Sequence, residues 1–320
     1  MRRDKSHGYT IQVNPETGEQ FFVELSTGEI YDAATVTVPV GSQLITPEQQ
    51  RRNSERRERQ QIHHSEKAIT AMLGKFYLLA VDTDFSGLSS ATVARLVFLA
   101  TYLRYGTNSL YWTKRTPISR RMLPEVLGVS EDTAGRFMKE AERYVSVDEK
   151  GNVHMDQPAF VRGRLPADHA GYQKLRIEAV RRLYKAADVA DHKRLGYIFL
   201  MLPFISVDYN ILCHNPYAAD IGDIQPMTAK EFCEKIGLAY NKTTVFRLRR
   251  IYADIQFEID GERQLFCGFV TDGVHPENDK IFVNPKVLYS GRDILKVRGL
   301  MELMPKPHSN AAVTTLREVG

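Results

Sequence analysis

The sequence predicts an α+β fold in which one small module, helix–strand–helix–turn–helix–hairpin, is built twice behind a short N-terminal β segment. Three observations predict it. Helical apolar periodicity begins near Leu88 and again near Asp191, a glycine and a hydroxyl cap separate paired helices in both places, and a hairpin signal follows each pair.

Each element follows from local pattern. Residues 9–40 alternate apolar and polar positions around two Thr-Gly-Glu turns, at Thr17 and Thr27, and predict a small β segment over 1–46. Two or three short strands are marginal alone, so this one needs a packing partner. Residues 47–87 open on a run that is polar all round, with opposite charges at helical spacing, and read as a polar tether or helix.

The first module spans 88–165. Leu88, Val93, Leu96, Val97, Ala100 and Leu103 line one helix face, capped by Ser89 or Ser90, and Ser109–Trp112 is a short strand. Met122, Leu123, Val126 and Leu127 mark a second helix ended by Gly128. Ser130 then caps a third, with Ala134, Phe137, Met138 and Ala141 inward. Val145–Met155 is a hairpin turning at Lys150-Gly151. That order is a winged helix-turn-helix.

Residues 166–190 read as a basic connecting helix, with Leu175, Val180, Leu183 and Tyr184 inward and the basic residues outward. The second module, 191–295, repeats the order. An apolar helix leads into Ile211–Cys213, Thr228 caps a helix ended by Gly237, and Thr243 or Thr244 caps a third. A hairpin turning at Asp260-Gly261 follows. Aligned this way, Arg136, Phe137 and Lys139 match Arg247, Leu248 and Arg250. Residues 296–320 read as a flexible tail. The predicted fold is tandem winged helix-turn-helix domains with a small N-terminal β element.

Composition narrows the function. The net charge of +4 over 320 residues is slight, but the basic residues cluster. Lys114–Arg121 and Lys242–Arg250 each hold four basic residues and no acid. The apolar stretch Leu195–Val207 is 13 residues long and contains Pro203, against roughly 20 needed to cross a bilayer. No apolar core follows the basic N-terminus, so no secretion signal and no membrane partner are expected. Cys213, Cys233 and Cys267 are odd in number and scattered, which fits a reducing cytoplasm.

Phosphate-loop, dinucleotide and nucleophile-elbow motifs are missing, so neither enzymatic activity nor a cofactor is expected. Cys213, His214, Cys233, Cys267 and His275 lack a paired Cys-x-x-Cys, and His63-His64 is not the His-x-His pair of a nickase, so no metal is expected. Trp112 reads as packing.

A helix-turn-helix reads duplex DNA because its last helix fits the major groove and offers long polar side chains from one face. In the first module the candidates are Thr133, Arg136, Lys139 and Arg143, with Lys114, Arg115, Arg120 and Arg121 as flanking phosphate contacts. Glu131, Asp132 and Glu140 count as exposed there too. In the second they are Lys242, Thr243, Thr244, Arg247, Arg249 and Arg250, with no carboxylate among them, which makes it the better groove reader.

The second module and the following Lys280-Ile-Phe-Val-Asn-Pro-Lys-Val-Leu-Tyr-Ser-Gly291 resemble RepL-type plasmid replication proteins over roughly 191–291. The most specific element is Phe282-Val283-Asn284-Pro285 with Tyr289 and Gly291. The tandem layout is similar to two-domain plasmid initiators with paired winged helices. The resemblance implies origin binding and recruitment of host replication proteins, although the first module has no counterpart in the RepL pattern. The expected protein is a sequence-specific double-stranded DNA binder of a plasmid or phage, first of all a replication initiator. A transcriptional repressor or activator of a mobile element, and an interaction module without DNA binding, stand as alternatives. A homodimer is among the assemblies this layout allows.

Overall fold

The computed structural model describes residues 8–14, 20–32, 43–45, 47–155, 159–163, 171–239, 241, 243, 248, 250–251, 255–271, 280–305 and 313–315. The Thr17 turn, Lys242, Thr244, Arg247, Arg249 and His275 lie outside them. The chain divides into two bodies, Met1–Ser65 and Glu66–Gly320. Both mix helices with small sheets, an α+β architecture.

In the N-terminal body, β1 (Gly8–Val13), β2 (Gln20–Glu24), β3 (Ile30–Asp32) and β4 (Gln43–Ile45) form one sheet in the order β3-β2-β1-β4. The β1–β4 pair is parallel. The second Thr-Gly-Glu turn joins β2 to β3, with Gly28 at φ 74 and the Glu24 carboxylate accepting from Ser26 and Thr27. The 27-residue helix α1 (Pro47–Leu73) follows, exposed along its first half, with Arg51–Glu55 and Arg59–Glu55 pairs one turn apart.

The main body centres on an antiparallel strand pair that the sequence reading did not contain. Phe76–Ala80, read as part of the polar tether, is the buried strand β5. The basic segment read as a connecting helix begins as strand β9, Tyr172–Arg176. Leu78 faces Lys174 across them, strand β8 (Phe160–Val161) lines the far edge of β5, and Leu288 bridges to Leu175 of β9. The helix there, α5 (Ile177–Ala186), buries Val180, Leu183 and Tyr184 as the apolar stripe requires.

Two of its basic residues do not face outward. Arg176 is buried and donates to the carbonyls of Gly74 and Tyr289, which puts a charged group where packing alone would want an apolar one. Arg181 donates to the Thr101 hydroxyl and carbonyl and lies 4.2 Å over the Tyr102 ring.

Around this pair the chain builds the same backbone lattice twice. In the first module α2 (Ser90–Leu99) leads through a 3-10 turn to Leu103, and α3 (Leu123–Leu127) and α4 (Glu131–Glu140) precede strands β6 (Val145–Val147) and β7 (Val153–Met155). Ser89 caps α2. In the second, α6 (His192–Phe199) and α7 (Ala229–Lys235) take the places of α2 and α3. The bridge Leu103–Leu110 recurs 102 residues on as Ile205–Leu212, Tyr111–Pro117 recurs as Cys213–Pro226, and Ser109–His154 as Ile211–Phe282. Leu110 N–H donates to Val153 while its carbonyl accepts from Ile118. Leu212 does the same with Ile281 and Met227.

This lattice corrects the assignment of the second hairpin. Strands β10 (Gln256–Ile259) and β11 (Glu262–Leu265) do turn at Asp260-Gly261, whose φ of 55° and 76° suit a tight hairpin turn. They form a two-stranded sheet of their own. The strand that joins Ile211 is β13 (Lys280–Val283), paired with β12 (Cys267–Thr271). A turn signal fixes which two strands pair, and says nothing about which third strand they join.

The modules meet helix to helix. α2 packs along α6, and at Gly196 a Cβ would stand 1.7 Å from the Ser90 carbonyl oxygen, so glycine is what permits the approach. One core runs through both modules.

The tail departs from the flexible expectation in two places. Helix α8 (Ile294–Glu302), capped by Asp293, buries Val297 against Ile69, Leu73 and Tyr289. Val313–Thr315 (β14) adds to β12 in parallel. Among the described residues, no helix is long and apolar enough to cross a membrane.

Candidate nucleic-acid interface

In the first module the turn between α3 and α4 is set by Gly128 at φ 62. Its N–H and that of Val129 return to the carbonyls of Glu125 and Pro124. The Ser130 hydroxyl accepts from Thr133 N–H and starts α4, with Glu131 and Asp132 in the favourable first turn. Ala134, Phe137 and Ala141 are buried and Met138 half-buried, which fixes the outward face.

That face carries Arg136 and Lys139, both exposed, with Thr133 half-buried at its start, and exposed Arg143 lies in the turn after the helix. Arg136 makes only long contacts, 3.4 Å, to the Asp132 carbonyl and the Thr133 hydroxyl. Lys114 and Arg115 sit in an exposed turn closed by Trp112 N–H on the Thr116 carbonyl. Arg120 and Arg121 head the 3-10 turn before α3, and Arg120 N–H donates to Gly151 at the hairpin turn. The structure therefore brings the 119–121 turn against the hairpin tip. Among the described residues these seven basic side chains close no ion pair.

Glu140 was expected on the same exposed face and is not there. It is half-buried and accepts from the Ser89 N–H, the Ser89 hydroxyl and the Thr92 hydroxyl, tying the end of α4 to the start of α2. Burial raises its pKa, and the three hydrogen bonds outweigh that and leave it below the usual glutamate value. One carboxylate is thus withdrawn from the cationic face. At the hairpin tip, hydrogen bonds from Asn152, His154 and Lys150 hold Asp148 down to about 2. It organises the turn as an anion.

The second module repeats the turn, with Gly237 at φ 71 and its N–H on Glu234, and Leu238 N–H on Cys233. Thr228 and Glu231 form a full capping box on α7. Thr243 and Arg250 are helical and exposed, so Thr243 already lies inside the helix it was expected to cap. Leu248 is buried like Phe137, and Arg250 is exposed like Lys139. Lys242, Thr244, Arg247 and Arg249 are outside the described residues.

Asn284, Tyr289 and Gly291 hold structural positions in this chain. Asn284 is buried, its amide donating to the Leu265 carbonyl while its oxygen accepts from Lys286 N–H. The Tyr289 hydroxyl donates to the Asp293 carbonyl, and a Cβ on Gly291 would strike Asp208 and the Tyr289 ring.

Trp112, read as packing, is 40% exposed. An aromatic at the end of a four-residue strand gives no signal of which face it takes. All three thiols are buried, and burial pushes Cys213 up to about 11. Among the described residues no group of three His, Cys, Asp or Glu side chains is placed to hold a metal ion. No family model, curated protein or solved structure matches this chain.

Proposed function

We propose that the chain is a sequence-specific double-stranded DNA-binding protein with two winged helix-turn-helix modules, acting as a plasmid or phage replication initiator on origin repeats. The observation that supports this most is the cationic outer face of α4. Arg136 and Lys139 project from a helix seated on a capped turn, Arg143 follows in the turn after it, and Glu140 is drawn away from them. The recurrent lattice supports a second head of the same kind, with β12–β13 rather than β10–β11 as its wing.

Phosphate contacts from Lys114, Arg115, Arg120 and Arg121 supply affinity, and the two helices supply specificity. The protein acts without catalysis or cofactor and in a reducing cytoplasm, which the burial of all three thiols permits.

Binding of labelled duplexes at two salt concentrations tests this. Retention should weaken steeply with salt, each phosphate contact adding about 0.9 to the slope of log affinity against log salt. Arg247→Ala should cost ~1–3 kcal/mol on the specific site and far less on random duplex. Footprints over iterated repeats support initiation, and a single footprint over a promoter supports the repressor or activator reading. No salt-sensitive retention at all refutes DNA binding.

A further inference from the structure

Two clefts stand at equivalent places in the two modules. Each is walled by the end of a module's first helix, the end of its second helix up to the left-handed glycine, and the segment leading into the other module's first helix. The first, about 500 Å³, runs from Phe98 and Tyr102 across Glu125–Gly128 to the Tyr184–His192 segment. The second, about 520 Å³, runs from Leu200 and Phe204 across Glu234–Gly237 to Thr83–Leu88. The repeat of the modules creates the pair, but the chemistry differs.

The first cleft is aromatic. Phe98 stacks on Tyr184 at 3.9 Å and 5°, and Tyr184 stacks on the His192 ring at 4.3 Å. Trp112, the chain's one tryptophan, rests on Tyr102 at 5.5 Å and 18°. Its counterpart 102 residues on is His214, which instead sits 3.5 Å from the Glu231 carboxylate. A tryptophan lining a cleft and still 40% exposed leaves a flat apolar surface in water that a second ring would cover.

The polar groups define the rest of the ligand. Glu125 and Asp188, both exposed, come from different walls, and Lys185 offsets one of the two charges. The excess is acceptors, one negative charge net. A ring that donates N–H groups, neutral or cationic, matches it, whereas an anion does not. Volume, aromatic lining and a few convergent polar groups are the usual marks of a small-molecule site.

We propose that this cleft binds a planar aromatic molecule carrying N–H donors, of about nucleobase size, stacked on Trp112 and hydrogen-bonded to the carboxylates of Glu125 and Asp188. The site joins the second helix of one module to the entry of the other. It does not depend on the DNA-binding reading.

The emission of Trp112 in the intact chain reports occupancy directly. Adenosine, benzamidine and choline separate a neutral base, an aromatic cation and a cation without a ring. At least one of the two rings should quench saturably and raise the melting temperature, with choline inert. The Glu125→Gln, Asp188→Asn double variant should bind that ring about tenfold more weakly, a change of ~1.4 kcal/mol. Trp112→Leu, followed by melting alone, should lose the ring-induced shift. Quenching by adenosine assigns a neutral base and quenching by benzamidine an aromatic cation. Failure of both rings, equal quenching by choline, or undiminished binding to the carboxylate variant would overturn the proposal.

Discussion

In the first module the chain passes from α4 through one short turn into β6, whereas in the second it makes the whole β10–β11 hairpin before it reaches β12. The bonds that Leu110 and Leu212 themselves make nevertheless recur, from the first to Val153 and Ile118 and from the second to Ile281 and Met227. Insertion is tolerated where it leaves those contacts intact, since lengthening a surface connection costs little closure entropy. The modules also differ in what holds the lattice. Asn108 is exposed, while Asn210, at φ 55, is fully buried with its amide on the carbonyls of Val283 and Leu288. In the first module the exposed Thr107 hydroxyl donates to the Arg104 carbonyl and accepts from Ser109 N–H, whereas the second clasps its turn with a buried amide.

Four tests, two of them with a paired control substitution, sharpen or break this comparison. The largest effect is expected where the modules touch. Gly196→Ala drives a methyl into the Ser90 carbonyl and should cost at least ~3 kcal/mol in a denaturant titration. Gly135→Ala, on the open face of α4, should stabilise by about 0.5–1 kcal/mol. Equal effects would mean that α2 and α6 are not in close contact.

Next comes the clasp. Asn210→Ala leaves two buried carbonyls without their donor and strains a left-handed position, and should cost ~2–3 kcal/mol. Asn108→Ala should stay within about 0.5 kcal/mol.

His192 gives the third. Burial, and then Arg95, lower its pKa from 6.5 to about 4. The unfolded ring binds more protons than the folded one between those values, so stability falls as pH drops from 6.5 toward 4. The slope should approach ~1.4 kcal/mol per pH unit, and His192→Gln should flatten it. A variant as pH-sensitive as the parent in that window would contradict the assignment. The fourth, and the smallest loss among the buried or half-buried sites, is Glu140→Gln, about 0.5–1 kcal/mol from weakened bonds to Ser89 and Thr92. Thermal melts resolve it.

Local signals in the sequence located most elements. Ser89, Ser130 and Thr228 cap helices, Gly128 and Gly237 end them left-handed, and Asp260-Gly261 turns a hairpin, because each depends on a few neighbouring residues. What was not legible depends on distant partners. Phe76–Ala80 is a five-residue apolar run whose strand partner lies about a hundred residues on, and an Arg176 whose guanidinium meets Gly74 and Tyr289 looks like any surface arginine. Glu140 faced outward on a helical wheel, but its hydrogen bonds come from α2. Of the candidate site, the cations of the 114–121 turn follow from clustering, and Arg136 and Lys139 from helical spacing behind the Ser130 cap.

The most direct test of the central proposal is the salt dependence of duplex binding for the parent and for Arg136→Ala, Lys139→Ala. The parent should bind with a steep negative slope, and the double variant should bind more weakly with a slope shallower by about 0.9 for each phosphate contact removed. Binding that ignores salt, or a variant indistinguishable from the parent, would contradict it.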